Sequence, residues 1–150
     1  MAEKHIPITG GCLCGAVRYE STEPPVNGGY CHCKMCQKAS GGLFVSWLEF
    51  PPTGFRFTKG KPHFYRSSEW SQRGICSTCG SQLAFSYDDD PAVVVMIGSL
   101  DHPNDWPLTH DGWWGHAYVD EKVSWHDISD DLPQFASNYP DIPESQSGAS

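Results

Sequence analysis

The stretch GCLCG at residues 11–15 decides the fold, together with its later counterpart CSTCG at residues 76–80. Each stretch ends in Cys-Gly. A zinc knuckle curls the backbone around a cysteine sulfur, which commonly requires a positive φ just after the second cysteine, and glycine adopts that angle without strain. The two stretches therefore read as halves of one site, the four-cysteine cluster, formed by Cys12, Cys14, Cys76 and Cys79.

This four-cysteine cluster has the pattern of a structural zinc site. Four thiolates in a tetrahedron leave no open coordination position. Because 61 residues separate Cys14 from Cys76, a shared metal would clamp an early hairpin to a late one.

A second group of thiols lies in CHCKMC at residues 31–36 and is called here the three-cysteine cluster: Cys31, Cys33 and Cys36. Three ligands from one short turn can cover one face of a zinc ion and leave the fourth position for water or another ligand. Three thiolates make that zinc a mediocre Lewis acid toward water, yet it would hold a bound thiol as a nucleophilic thiolate. We therefore predict an open zinc site suited to thiol chemistry more than to hydrolysis.

Two other interpretations of the three-cysteine cluster stay open. His32 or a distant histidine could complete the tetrahedron, since three cysteines plus histidine is a common structural zinc set. One of the three thiols could instead be a small buried residue without a metal role.

The composition favours short strands joined by turns over long helices. Among 150 residues there are 15 Gly, 12 Pro and many aromatic residues (6 Trp, 6 Tyr and 7 Phe), which predicts an all-β protein with short helical turns. We place a single domain at residues 1–143 and expect the small polar tail at 144–150 to be disordered. Strands are predicted at 15–20, 43–47, 55–58, 63–65, 83–86, 92–97 and 116–119, and helical turns at 34–40 and 131–135.

Charge and the N-terminal residues limit the partners and the compartment. The formal net charge of −8 argues against nucleic acid as a partner. Residues 1–10 lack the charged and apolar regions of a signal peptide, and no segment approaches the ~20 apolar residues that span a bilayer. We expect a cytoplasmic protein without membrane contact, whose seven cysteines bind metal in preference to forming disulfides.

Several segments of the chain resemble the glutathione-dependent formaldehyde-activating enzyme family, which includes centromere protein V. The match runs from about Gly10 to Phe135, and its cysteine order of C-x-C, C-x-C-x-x-C and C-x-x-C-G is highly specific. The segments that carry it are GGCLCGAVRYE (10–20), CHCKMCQKASGG (31–42), RGICSTCGSQL (73–83), GSLD (98–101) and HAYVDEKVSWHDISDDLPQF (116–135).

The resemblance implies a β-tent fold of antiparallel sheets around a structural zinc, with two zinc ions per chain. It assigns the structural zinc to the four-cysteine cluster and a catalytic zinc to the three-cysteine cluster. The implied activity is that of a carbon–sulfur lyase acting on adducts of a small thiol, such as glutathione, with a small carbonyl compound such as formaldehyde. His116 matches the family's histidine after the 99–115 loop, and we predict a catalytic role for it as proton shuttle or outer hydrogen-bonding group; the alternative is an ordinary strand histidine.

Two other functions and several weaker candidates also stay open. The chain could be a non-catalytic, zinc-stabilised binding module, or a redox sensor that forms a disulfide within the three-cysteine cluster. The tryptophans of the 99–115 loop could form an apolar wall over the open site or anchor the loop to the core. The loop tryptophans are Trp106, Trp113 and Trp114. His102, His110 and Asp111 of the same loop are weaker candidates than His116 for a role at the open zinc. The cations that could meet glutathione carboxylates, or be ordinary charges, are Lys34, Lys38 and Arg73.

Overall fold

The structure is a computed structural model that describes residues 4–108 and 115–140. Within these residues the chain forms ten strands and one α-helix. The strands are β1 (Ile8–Gly11), β2 (Arg18–Ser21), β3 (Asn27–Cys31), β4 (Val45–Phe50), β5 (Phe55–Lys59), β6 (His63–Arg66), β7 (Ser71–Ile75), β8 (Gln82–Tyr87), β9 (Val93–Met96) and β10 (Gly115–Ala117). The helix α1 is Lys34–Ser40, and short 3-10 turns lie at Ile97–Ser99, Pro103–Asp105 and Val119–Glu121.

The described residues fall into two compact units. The first takes its residues from Met1–Val26 and Leu48–Pro107, and the second from Asn27–Trp47 and Leu108–Ser150. Strand β4 contains the point at which the chain passes from the second unit to the first. The extent of a single domain over residues 1–143 stays a prediction.

The first unit presents the two cysteine pairs on the turns of two hairpins. Strands β1, β2 and β5 form one antiparallel sheet, and the first Cys-x-Cys pair lies in the turn between β1 and β2. Strands β6, β7, β8 and β9 pair antiparallel in that order, and the second pair lies in the turn between β7 and β8. Cys12 and Cys76 lie in a small apolar core with Val17, Leu83 and Ala84, and Cys79 packs against it, whereas Cys14 is exposed.

The second unit is built around a parallel pair of short strands. Tyr30 of β3 lies opposite His116 of β10. On its other side β10 meets residues 133–135, because His116 N donates to Pro133 O at 2.8 Å and Phe135 N donates to His116 O at 2.8 Å. This close approach requires a glycine at the start of β10: Gly115 has a φ of +96°, and a Cβ there would lie 2.3 Å from Pro133 O.

The prediction of an all-β chain with short helical turns is confirmed, and α1 spans the predicted residues 34–40. The helical turn predicted at 131–135 is wrong, since this segment lies along β10 in an extended form. The parallel pairing of β3 with β10 departs from the antiparallel arrangement that the resemblance implied. Strands β1, β3 and β7 were not predicted from the sequence. They are rich in glycine and polar residues, which are uncommon in strands: ITGG, NGGYC and SQRGI.

Candidate metal centres

The four-cysteine cluster brings its predicted residues together within the first unit. Its four Sγ atoms all lie within 4.8 Å of one another. Cys14 Sγ lies 3.6 Å from Cys12 Sγ and 3.8 Å from Cys76 Sγ. Sulfurs in a tetrahedral zinc site with bonds of about 2.3 Å lie about 3.8 Å apart. The spacing therefore fits a metal ion held by four thiolates.

The backbone of both knuckles has the conformation that the glycines predict. Gly15 has a φ of +81° and Gly80 a φ of +77°, and a Cβ at either position would meet nothing within 4 Å. Glycine is therefore needed for the angle and not for space. The turns also aim amides at sulfur: Val17 N donates to Cys12 Sγ at 3.2 Å, and Cys79 N to Cys76 Sγ at 3.5 Å.

Ser81 is a member of this site that the sequence did not reveal. Its Oγ lies 3.0 Å from Cys79 Sγ and accepts a hydrogen bond from Leu13 N at 3.1 Å. The hydrogen bonds from Ser81, first from its side chain and then from its backbone, lower the pKa of Cys79 to about 5. A lowered pKa favours the thiolate, which is the form that binds metal.

The three-cysteine cluster is assembled at the junction of β3 with α1 in the second unit. Cys31 ends β3, Cys33 is the N-cap of α1, and Cys36 lies in its first turn. Their Sγ atoms also lie within 4.8 Å of one another, and Cys33 and Cys36 are buried. Cys33 Sγ caps the helix by accepting a hydrogen bond from Cys36 N at 3.2 Å.

The charge balance of the three-cysteine cluster fits a bound cation. The side chains of Cys33 and Cys36, and then burial, raise the pKa of Cys31 well above its ordinary value. Three neighbouring thiolates repel one another, and a divalent metal removes that penalty. The donor set is thus suited to a thiophilic metal such as zinc.

Among the described residues this cluster contains three cysteines and no histidine, aspartate or glutamate. His32, considered above as a fourth ligand, directs its Nε2 at His116 instead. His110 and Asp111 lie outside the described residues.

Gln37, which follows Cys36 where the other knuckles have glycine, holds the ligand turn in place. Its Nε2 donates to His32 O at 2.7 Å and to Glu121 O at 3.0 Å. Glu121 Oε1 in turn accepts a hydrogen bond from Lys34 N at 3.0 Å. The turn is therefore fixed against the 3-10 turn Val119–Glu121.

A chain of hydrogen bonds, called here the histidine chain, runs from Asp130 through His116 to His32. His116 Nδ1 lies 2.9 Å from His32 Nε2, and His116 Nε2 lies 2.9 Å and 3.1 Å from the two carboxylate oxygens of Asp130. Both histidines are buried, at 1% and 4% exposure for His32 and His116. Burial, and after it the proximity of His116, lowers the pKa of His32 to about 4, so His32 is neutral at pH 7.

Both ring nitrogens of His116 have partners in this chain. That arrangement matches an outer hydrogen-bonding group better than a proton shuttle with one nitrogen facing substrate. A catalytic role for His116 stays a prediction.

The weaker candidates are divided between the two units. In the first unit His102 stacks on His5 with ring centres 3.6 Å apart, and Trp106 is buried beneath Lys4, whose Nζ lies 3.9 Å from the ring centre. This burial is what the anchoring role predicts for Trp106. Arg73 is buried with its guanidinium 5.1 Å from the Phe85 ring centre, while Lys34 and Lys38 are exposed. Trp113 and Trp114, like the tail at 144–150, lie outside the described residues.

Two further structural facts bear on the predictions. All seven cysteines are in the described part of the chain, and none forms a disulfide there. Across residues 4–108 and 115–140, no helix has the length and apolar character needed to span a membrane.

The fold and the cysteines define a mainly β protein with two clusters that could hold metal ions. A family model described as "Glutathione-dependent formaldehyde-activating enzyme" matches residues 7–116. The chain belongs to this family, as its motifs indicated.

The individual proteins that resemble this chain match it over only part of its length. A curated protein of Schizosaccharomyces pombe, named as an uncharacterized lyase, is 30% identical in an alignment of 82 positions that covers 52% of this chain. The match spans little more than half, 56%, of that relative's own length. A crystal structure of a Rhodobacter sphaeroides protein aligns with 62% of this chain and 87% of its own, at 20% identity and a TM-score of 0.49.

Proposed function

We propose that this chain is a zinc-dependent carbon–sulfur lyase that acts on adducts of a small thiol with a small carbonyl compound such as formaldehyde. The observation that carries the proposal is the three-cysteine cluster, to which the described residues add no fourth donor. Membership of the formaldehyde-activating family and a relative named as a lyase support a lyase-like enzyme. A glutathione-like thiol is the substrate that the family's description suggests.

The two cysteine clusters would have different tasks. Cys12, Cys14, Cys76 and Cys79 would hold a structural zinc, since four thiolates at tetrahedral spacing leave no room for substrate. Cys31, Cys33 and Cys36 would hold the second zinc. Bound there, zinc would lower the pKa of a small thiol and keep it as a nucleophilic thiolate beside the carbonyl carbon.

The residues around the three-cysteine cluster would keep its sulfurs in one arrangement. Cys33 Sγ is oriented by the amide of Cys36, and Gln37 fixes the carbonyl of His32 between the first two cysteines. Addition of the thiol forms one C–S bond, and the thiol's proton ends on the carbonyl oxygen. The reaction is therefore balanced without an oxidant or reductant, and its reversal is the lyase direction.

A non-catalytic binding module is the second candidate. Its support is the histidine chain, in which His116 already has partners for both nitrogens, as expected of a structural residue.

The test is the exchange rate between glutathione plus formaldehyde and their adduct, followed by NMR at equilibrium with zinc-loaded protein. Wild type should raise the rate above the uncatalysed reaction, and Cys33→Ser should abolish that increase. Met35→Leu, in the same turn but without a ligand atom in the cluster, is the matched control and should keep it. Equal rates with wild type, Cys33→Ser and buffer alone would contradict the lyase proposal and favour the binding module.

A further inference from the structure

The histidine chain lies on the opposite side of the ligand strand from the cysteine sulfurs. His32 N donates to Ala117 O at 3.0 Å, so the pairing of β3 with β10 continues through His32. Side chains alternate along an extended chain, which places Tyr30 and His32 on one side and Cys31 on the other. Consistent with this, the Tyr30 ring stacks on His116 with ring centres 4.5 Å apart and an angle of 7°.

When Asp130 is ionised and both rings are neutral, the hydrogen bonds of the histidine chain determine where each proton lies. An ionised carboxylate only accepts hydrogen bonds, so His116 must carry its proton on Nε2, the atom that faces Asp130. In a neutral ring the other nitrogen is then an acceptor, so His116 Nδ1 accepts and His32 Nε2 donates. His32 is left with its proton on Nε2 and a lone pair on Nδ1.

The opposite proton arrangement is disfavoured by Asp130. A proton on His116 Nδ1 would turn the Nε2 lone pair toward a carboxylate and remove the acceptor that His32 Nε2 uses. Asp130 is itself held, since its Oδ1 also accepts a hydrogen bond from Leu132 N at 2.9 Å.

His32 is held by hydrogen bonds at three points, two on its backbone and one on its ring. Its N–H donates to Ala117 O, its carbonyl oxygen accepts from Gln37 Nε2 at 2.7 Å, and its ring is hydrogen-bonded to the His116 ring. Because this residue joins Cys31 to Cys33, any rotation of it would move both sulfurs.

We propose that Asp130 is a positioning residue, which acts through His116 to fix His32 in its Nε2-protonated form and so holds Cys31 and Cys33 in a metal-ligating arrangement. This rests on the metal role of the three-cysteine cluster and not on the lyase reaction. In Asp130→Asn the amide has nearly the same shape as the carboxylate but can donate as well as accept a hydrogen bond. It therefore no longer favours one tautomer of the His116 ring.

The first experiment measures the tautomers directly. Long-range ¹H–¹⁵N NMR of the zinc-loaded full chain should show His32 and His116 protonated on Nε2 in the wild type. Asp130→Asn should give a mixture of tautomers, whereas Asp130→Glu, which keeps a carboxylate, should restore much of the wild-type pattern. The matched control is Asp131→Asn, an exposed neighbour, which should change nothing. An Nδ1-protonated His116 in the wild type would overturn the inference without any variant having to fold.

The second experiment measures zinc affinity by competition with a chromophoric chelator. A residue that hydrogen-bonds a metal ligand directly typically contributes 10–100-fold to affinity. Because Asp130 acts through His116 and His32, Asp130→Asn should weaken zinc binding at the three-cysteine cluster by about 10-fold, the low end of that range, and leave the four-cysteine cluster unchanged. Changed tautomers with unchanged affinity would show that Asp130 does not position the ligand turn. The two proposals can also fail separately. If Asp130→Asn binds zinc more weakly but the wild type does not catalyse adduct exchange, the lyase proposal is contradicted and the positioning role of Asp130 is supported.

Discussion

Ser81 Oγ lies 3.0 Å from Cys79 Sγ and, by accepting a hydrogen bond from Leu13 N, joins the two knuckles of the four-cysteine cluster. The same hydroxyl thus contacts a sulfur of the later knuckle and an amide of the earlier one, which is 68 positions away along the chain.

Ser81→Ala should therefore release zinc from this cluster at a higher pH than the wild type. The hydrogen bonds of Ser81 lower the pKa of Cys79 to about 5, and protons compete more successfully with zinc when that pKa rises. The measurement is the amount of protein-bound zinc during an acid titration. Ser77→Ala, an exposed serine in the same knuckle, is the control; identical release curves for both variants would show that the hydroxyl is irrelevant.

Cys76→Ser should remove the structural zinc and unfold the first unit, because binding energy at a structural site is largely folding energy. Cys33→Ser should lose only the second zinc and keep most of the β-sheet signal. Zinc per chain by mass spectrometry and thermal melts by circular dichroism check both. The division of roles is wrong if Cys76→Ser keeps two zinc ions and the wild-type melting temperature.

Gly115→Ala should be strongly destabilising. The position has a φ of +96°, and the added Cβ would lie 2.3 Å from Pro133 O, so we expect a loss of about 2 kcal/mol or more in the free energy of unfolding. Gly98→Ala is the control, since a Cβ there meets nothing within 4 Å. Denaturant unfolding of both variants measures the difference, and a loss below that of Gly98→Ala would contradict the described backbone at β10.

The ion pair between Asp101 and Arg18 predicts an acid dependence of stability. Hydrogen bonds from the Arg18 guanidinium and from Thr9 Oγ1, the latter at 2.7 Å, outweigh the opposing effect of burial and lower the pKa of Asp101 from its ordinary 3.8 to about 2. A lowered carboxyl pKa gives stability that is present above the unfolded value and is lost as the pH falls from 3.8 through 2. Both side chains are 35% exposed, so after solvent screening we expect only about 1 kcal/mol.

Asp101→Asn should remove that part of the pH dependence. The comparison is the free energy of unfolding of zinc-loaded wild type and variant from pH 5 to pH 2, measured side by side so that any loss of zinc is common to both proteins and cancels in the difference. A constant difference between the two proteins over this range would contradict the role of the ion pair.

The sequence was most informative where a single residue type has a single structural use. The Cys-Gly pairs predicted positive φ at Gly15 and Gly80, and the clustering of the first four sulfurs followed from the matching knuckles. The class of fold followed from many aromatic and turn-forming residues in a chain with little helical periodicity.

The rest depends on contacts between distant positions. Nothing in DISDD singles out Asp130 as the partner of His116, and nothing in CGSQ marks Ser81 as the partner of Leu13, because one acidic or hydroxyl residue resembles its neighbours until the chain is folded. The extended form of residues 133–135 was missed for the same reason: it is imposed by the neighbouring strand β10 and not by local propensity.

Calorimetry of a small thiol binding to the zinc-loaded protein tests the central claim, an exchangeable position at Cys31, Cys33 and Cys36, most directly. Titration with glutathione near pH 7, in two buffers of different ionisation enthalpy, should give one binding event per wild-type chain with release of about one proton, because the metal favours the thiolate over the thiol. Cys33→Ala should show no such event. If the wild type binds no common cellular thiol, or if Cys33→Ala binds it equally well, the account of this site is contradicted.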